Sequence, residues 1–136
     1  MSPRTACAVI LSKMALENGD LDSKEGRLLE RVCGRLGLET DKVRETAAEK
    51  RLDEVLASVV TRADRVVITF NAYLMANIDG QFDTWERELY DLVLTILEIS
   101  PADQAHAEGW AKQVLRGGGT PPGLSALIAV SSFKGM

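Results

Sequence analysis

Two short acidic segments carry the residues best suited to chemistry. One holds Asn18, Asp20, Asp22 and Glu25, the other Asp79, Asp83 and Glu86. Carboxylate and amide oxygens are the ligands that hard divalent cations such as Ca²⁺ and Mg²⁺ prefer. With Gly80 set at the sixth position of a calcium loop, Asn77 falls third, Asp79 fifth, Asp83 ninth and Glu86 twelfth. In the first segment Asn18, Asp22 and Glu25 take the fifth, ninth and twelfth positions, and Asp20 takes the seventh. The first position is Met14 or Met75 rather than Asp, and the third position of the first segment is Leu16. Neither segment is a complete calcium loop, so a standalone high-affinity calcium site is not expected, and any ion held here binds weakly or is shared between the two loops.

Helix punctuation accounts for many of the same residues. Gly19 and Gly80 suit helix C-termini. Asp22 with Glu25, and Asp83 with Glu86, have capping-box spacing, worth about 1 kcal/mol each, and Leu21 and Phe82 suit hydrophobic staples. Capping leaves Asp79 unexplained, because a carboxylate at a helix C-terminus opposes the macrodipole by some 0.3–1 kcal/mol. It also gives Asp20 no duty. Ion binding, helix capping alone and an ion-free acidic docking surface are all open on these residues.

The elements that position these segments read as helices throughout. Apolar residues recur at helical spacing and alternating strand patterns are absent, which predicts an all-α bundle. A first helix opens at Ser2 and Pro3 and runs to about Asn18. A second is capped by Asp22, buries Leu28, Leu29, Val32, Cys33 and Leu36, and ends at Gly37. A third follows Thr40, and Leu52 to Val60 mark a fourth. Residues 64–77 are apolar on most sides, as expected of a central helix. A sixth runs from Asp83 to about Glu98, and a seventh starts at Ser100-Pro101. Residues 1–116 make the expected helical domain. Residues 117–136 make a Gly/Pro linker and a short apolar tail (Leu124 to Val130, with Phe133) that folds back on the bundle, frays, or binds a neighbouring molecule.

The sequence repeats weakly at an offset of 61 residues. Asn18-Gly19-Asp20-Leu21-Asp22-Ser23-Lys24-Glu25 lines up with Asp79-Gly80-Gln81-Phe82-Asp83-Thr84-Trp85-Glu86, and Leu28, Val32 and Leu36 line up with Leu89, Val93 and Leu97. Each copy is helix, acidic loop, helix, which suggests a pseudo-twofold bundle of about seven helices. This pattern resembles the tellurite-resistance TerB family, whose two helix hairpins each carry Ala-Asp-Gly, five residues and a Glu. The second copy fits with Ile78 in place of the Ala. The first has Asn18 for the leading Asp and Glu17 for the Ala. The resemblance spans about Ala6 to Ile99. It implies an all-helical TerB-like bundle and a non-enzymatic cytosolic module, linked to tellurite and stress resistance, that senses or binds divalent metal and docks protein partners. The same domain occurs attached to other proteins, including membrane-anchored J-domain co-chaperones.

Composition narrows the function classes. The chain has 136 residues, 46 % hydrophobic and 26 % charged, the balance of one globular domain. A net charge of −4 argues against a general nucleic-acid binder. The acidity is concentrated: residues 17–25 hold four acids and one Lys, residues 79–88 hold four acids and one Arg, and the remainder is net positive. The single histidine, His106, reads as a surface residue and excludes a multi-histidine zinc site within the chain. Cys7 and Cys33 form no C-x-x-C pair and read as buried thiols of a reducing, cytoplasmic compartment. No apolar run reaches the roughly 20 residues of a membrane span. An enzyme using Asp79, Asp83, Asp22 and Glu25 as acid–base groups is the remaining class, without a nucleophile motif or cofactor loop to support it.

The two copies diverge on one helix face. Lys24, Arg31 and Arg35 of the first correspond to Trp85, Leu92 and Ile96 of the second. The basic set, with Arg27, reads as a solvated face. The apolar set needs a cover: the seventh helix, the tail or a second subunit. If uncovered, Trp85, Leu92 and Ile96 form a surface for a protein partner or a homodimer. Gly26 and Gly34, inside the second helix, suggest a close helix crossing.

Overall fold

The structure is a computed structural model that describes residues 1–15, 23–80 and 82–135. Among the described residues there are eight helices and no strand: α1 (Pro3–Ala15), α2 (Lys24–Leu36), α3 (Thr40–Glu49), α4 (Leu52–Leu56), α5 (Arg62–Asn77), α6 (Thr84–Ile96), α7 (Pro101–Leu115) and α8 (Pro122–Ala129). None of them is long and apolar enough to cross a membrane. The eighth helix lies in the apolar tail, beyond the seven expected.

Helices α1 and α5 form the centre. Every residue of α1 from Ala6 to Ser12 is buried, as is Met14. In α5 the buried residues include Val66 to Ala72 and Leu74 to Ala76. The two pack on each other; α1 also packs on α2 and α3, and α5 on α6, α7 and α8. Lys13 of α1 donates to the carbonyls of Ala47 (2.8 Å) and Lys50 (2.5 Å), satisfying the C-terminus of α3 with a cation, as its dipole favours. Burial lowers the Lys13 pKa, opposed by Glu54. Both cysteines are buried and free, and burial together with the neighbouring Cys33 raises the Cys7 thiol to about 12.

Several helix boundaries follow from their caps. Ser2 accepts from Thr5 N, Thr61 from Asp64 N and Ser100 from Asp103 N. The N-cap of α2 is Ser23, whose Oγ accepts from Gly26 N (3.0 Å), so this helix starts one residue later than an Asp22 cap would place it. Helix α4 stops at Leu56; Val59 is still buried, but Val60 points to solvent. A Cβ on Gly34 would meet nothing within 4 Å, so no helix crosses there.

The second and sixth helices end in the same way, at positions 61 apart. Leu38 N bonds to Cys33 O (2.8 Å) and Gly37 N to Gly34 O (3.3 Å); Ile99 N bonds to Leu94 O (3.0 Å) and Glu98 N to Thr95 O (3.2 Å). Both are Schellman-type closures, which need a left-handed residue after the helix. Gly37 takes φ +72° without cost, whereas Glu98 is held at φ +53° against its own Cβ. Glu98→Gly should therefore stabilise the fold by about 1 kcal/mol, seen as a higher urea midpoint at unchanged m-value.

The linker and tail belong to the bundle. Helix α8 packs on α5, Leu124 is 1 % exposed and Phe133 fully buried. Asp64, buried in the first turn of α5, accepts from Ser132 N and from Ser132 Oγ, both at 2.7 Å. Arg4 of α1 donates to the carbonyls of Ser132 (3.3 Å) and Lys134 (3.4 Å). The tail thus folds back on the bundle and is pinned there.

Candidate metal centre

Glu25, Asp79 and Glu86 converge. One carboxylate oxygen of each lies within 4.8 Å of the other two. Glu25 sits in the first turn of α2, Glu86 in the first turn of α6, and Asp79 just beyond the end of α5. Glu25 and Glu86 stand 61 positions apart, the offset at which the two acidic segments line up in the sequence. Asp20, Asp22 and Asn18 lie outside the described residues.

Each element delivers its carboxylate for a local reason. Asp83 is the N-cap of α6, accepting from Glu86 N at 2.8 Å, so its expected capping role is observed. That cap fixes the turn from which the Glu86 side chain enters the cluster. Phe82, one residue earlier, packs against Tyr73 of α5 and Tyr90 of α6, with ring centroids 5.8 and 6.0 Å away. The Arg87 guanidinium stacks 4.4 Å over the Phe82 ring, so a cation–π contact closes the staple in place of an apolar pair. After α5, Gly80 adopts φ +82° and its N–H bonds to Asn77 O (3.0 Å), turning the chain at Asp79. The Asn77 amide donates to Tyr73 O (2.8 Å).

The electrostatics are unusual for a cap. Glu25 is 5 % and Glu86 2 % exposed, while Asp79 is at the surface. Glu86 Oε2 is buried and, among the described residues, has no hydrogen-bond partner. Burial raises the Glu86 pKa to about 9, reinforced by the charge of Glu25, a hydrogen bond with Asp83, and the charges of Asp83 and Asp79. Two helix N-termini favour negative charge here, but by only about 0.3–1 kcal/mol each, which does not overcome desolvation and mutual repulsion. Burial and the neighbouring carboxylates therefore favour the protonated form of Glu86 at neutral pH in the ion-free chain. The spread of the oxygens is no wider than twice a Ca–O bond of about 2.4 Å, and an all-oxygen ligand set suits Ca²⁺ or Mg²⁺.

The residues offered for partner contact divide. Trp85 is 45 % and Leu92 51 % exposed, so neither α7 nor the tail covers them; Ile96 is partly buried against the core. Among the described residues, within-chain cover, one of the expected arrangements, is absent for the first two, and α7 packs on α5 instead. The basic set Lys24, Arg27, Arg31 and Arg35 is exposed as expected, and His106 lies at the surface, stacked on Trp110. Sequence reasoning missed Ser23 as a cap and Asp64 as the anchor of the tail; Asp64 stands three residues after Thr61 and looks like an ordinary first-turn acid. No protein-family model, curated protein or solved structure matches the chain.

Proposed function

We propose that the protein is a non-enzymatic, TerB-like cytosolic module related to stress or tellurite resistance, a pseudo-twofold bundle that binds or senses a divalent cation between its two repeats. The observation that carries this reading is the meeting of Glu25 and Glu86, buried and 61 positions apart, with Asp79 beside them. The cation, Ca²⁺ or Mg²⁺, would be held by these three carboxylates and complete its shell with water. Asp79, which opposes the dipole of α5, gains a purpose as the exposed ligand. Occupancy would be passed on by protein contacts, because Glu86 and the exposed Trp85 are neighbours in the first turn of α6.

Calorimetric titration with Ca²⁺, Mg²⁺, Mn²⁺ and Zn²⁺ tests the reading. Saturable heat is expected for the hard ions at a stoichiometry of one, with affinity reduced about tenfold or more in Asp79→Asn. No heat up to millimolar ion, with Asp79→Asn unchanged, would remove the cation. It would leave the second reading, an ion-independent interaction scaffold or dimerisation module, which the exposure of Trp85 and Leu92 favours.

A further inference from the structure

A cavity of about 640 Å³ opens between α2, α5 and the C-terminal segment, on residues none of which belongs to the acidic cluster. Its floor is Phe70 and Leu74 of α5, and its walls are Val32 of α2 with Leu124 and Ile128 of α8. Three cationic residues also line it: Arg31 and Arg35, one turn apart on α2, and Lys134 from the tail. No Asp or Glu does, although the chain carries twenty of them against sixteen Lys and Arg. Among the described residues Arg31, Arg35 and Lys134 have no carboxylate within 4 Å. Arg4 holds this side of the cavity together, donating to the carbonyls of Arg35 (3.5 Å) and Lys134 (3.4 Å).

We infer that this cavity binds an amphipathic carboxylate, with its hydrocarbon body on the Phe70–Leu74–Ile128 surface and its anionic head on Arg31, Arg35 and Lys134. The volume falls within the roughly 300–1,000 Å³ of small-molecule sites, which are mostly apolar with a few placed polar groups. Two arginines four residues apart on a helix repel each other, and a shared anion relieves that repulsion. Guanidinium groups also suit a planar carboxylate geometrically. A body without a charge would leave the cations unused, and an anion without a body would leave the floor wet. The site is independent of any cation at Glu25 and Glu86.

Fluorescence titration reads this directly. Trp110 lies against Gly123 at the start of α8, where a Cβ would come within 3.0 Å of the indole. In a Trp85→Phe background Trp110 is the sole tryptophan, since the chain has two. Dodecanoate below its micellar concentration should give a saturable change at one molecule per chain, and dodecanol should bind about tenfold or more weakly. Dodecyl phosphate binding alongside dodecanoate would place the selectivity in the charge, whereas acetate should compete only at far higher concentration. The double variant Arg31→Gln/Arg35→Gln should weaken dodecanoate about tenfold or more without weakening dodecanol. Ala129→Trp, which fills the cavity from an exposed position on α8, should abolish both while leaving the helical circular dichroism unchanged. Absence of saturable binding, equal affinity for dodecanol and dodecanoate, or a dimer in solution that Ala129→Trp breaks would overturn the assignment; the last result would give the cavity to a second copy of the chain.

Discussion

Phe133→Ala should lower the stability of the protein by about 3–5 kcal/mol, the cost of emptying a fully buried aromatic site that cannot collapse. Phe133 has no exposed surface and ranks among the largest fully buried side chains, with only three residues after it in the sequence. Its position is fixed by the two serines that precede it. Its N–H bonds to Ser131 Oγ (3.0 Å), and Ser132 places an N–H and a hydroxyl on the Asp64 carboxylate. A domain of this size has only about 5–15 kcal/mol in hand, so the loss should shift the urea midpoint by a large fraction of its value. Ser132→Ala provides the comparison. It removes one charge-assisted hydrogen bond while leaving the backbone N–H on Asp64, so about 1.5–3 kcal/mol is expected. If Phe133→Ala cost less than about 1 kcal/mol, the tail would be an appendage that contributes little to the core, despite the contacts of Arg4 and Asp64 with residues 132 and 134.

The difference between that expectation and the sequence reading shows where local information ends. Helical periodicity, Pro3, Ser100-Pro101 and Gly37 located most helices, because each signal acts within one turn of the chain. The tail is different. Its anchors, Asp64 and Ser132, are 68 residues apart, and nothing in the neighbourhood of either names the other. Asp64 reads as a first-turn acid because it is one. The acidic segments were legible as a pair, since the offset of 61 aligns Glu25 with Glu86. What alignment does not carry is distance, and the joining of the two carboxylates into one buried cluster is a consequence of packing around α1 and α5. The apolar stripe of α6 was legible as amphipathy on two faces; which face goes uncovered depends on where α7 lands, and α7 lands on α5.

Glu86→Gln should abolish most of the pH dependence of the ion-free protein. In the folded chain Glu86 titrates near 9, raised by burial and by its acidic neighbours, whereas in the unfolded chain it returns to an ordinary value near 4.5. Between those values the folded state holds a proton that the unfolded state has lost, so stability falls as pH rises through this window. In chelator, the thermal midpoint of the wild-type protein should therefore drop by roughly 5 °C or more between pH 6 and 9. The Gln variant, which cannot ionise there, should stay nearly level and be the more stable of the two at pH 8. A divalent cation inverts the order. It must displace the Glu86 proton, so its affinity for the wild type should rise with pH up to about 9, with about one proton released per ion bound. Millimolar Ca²⁺ should then raise the wild-type midpoint most at high pH and leave Glu86→Gln almost unmoved. A wild-type midpoint that is flat with pH in chelator would mean that Glu86 is open enough to water to ionise in the ordinary carboxylate range. The same profile with and without Ca²⁺ would separate the outcomes: a fall with pH that Ca²⁺ does not reverse identifies a proton-shared pair of carboxylates, and a fall that Ca²⁺ reverses identifies a cation site.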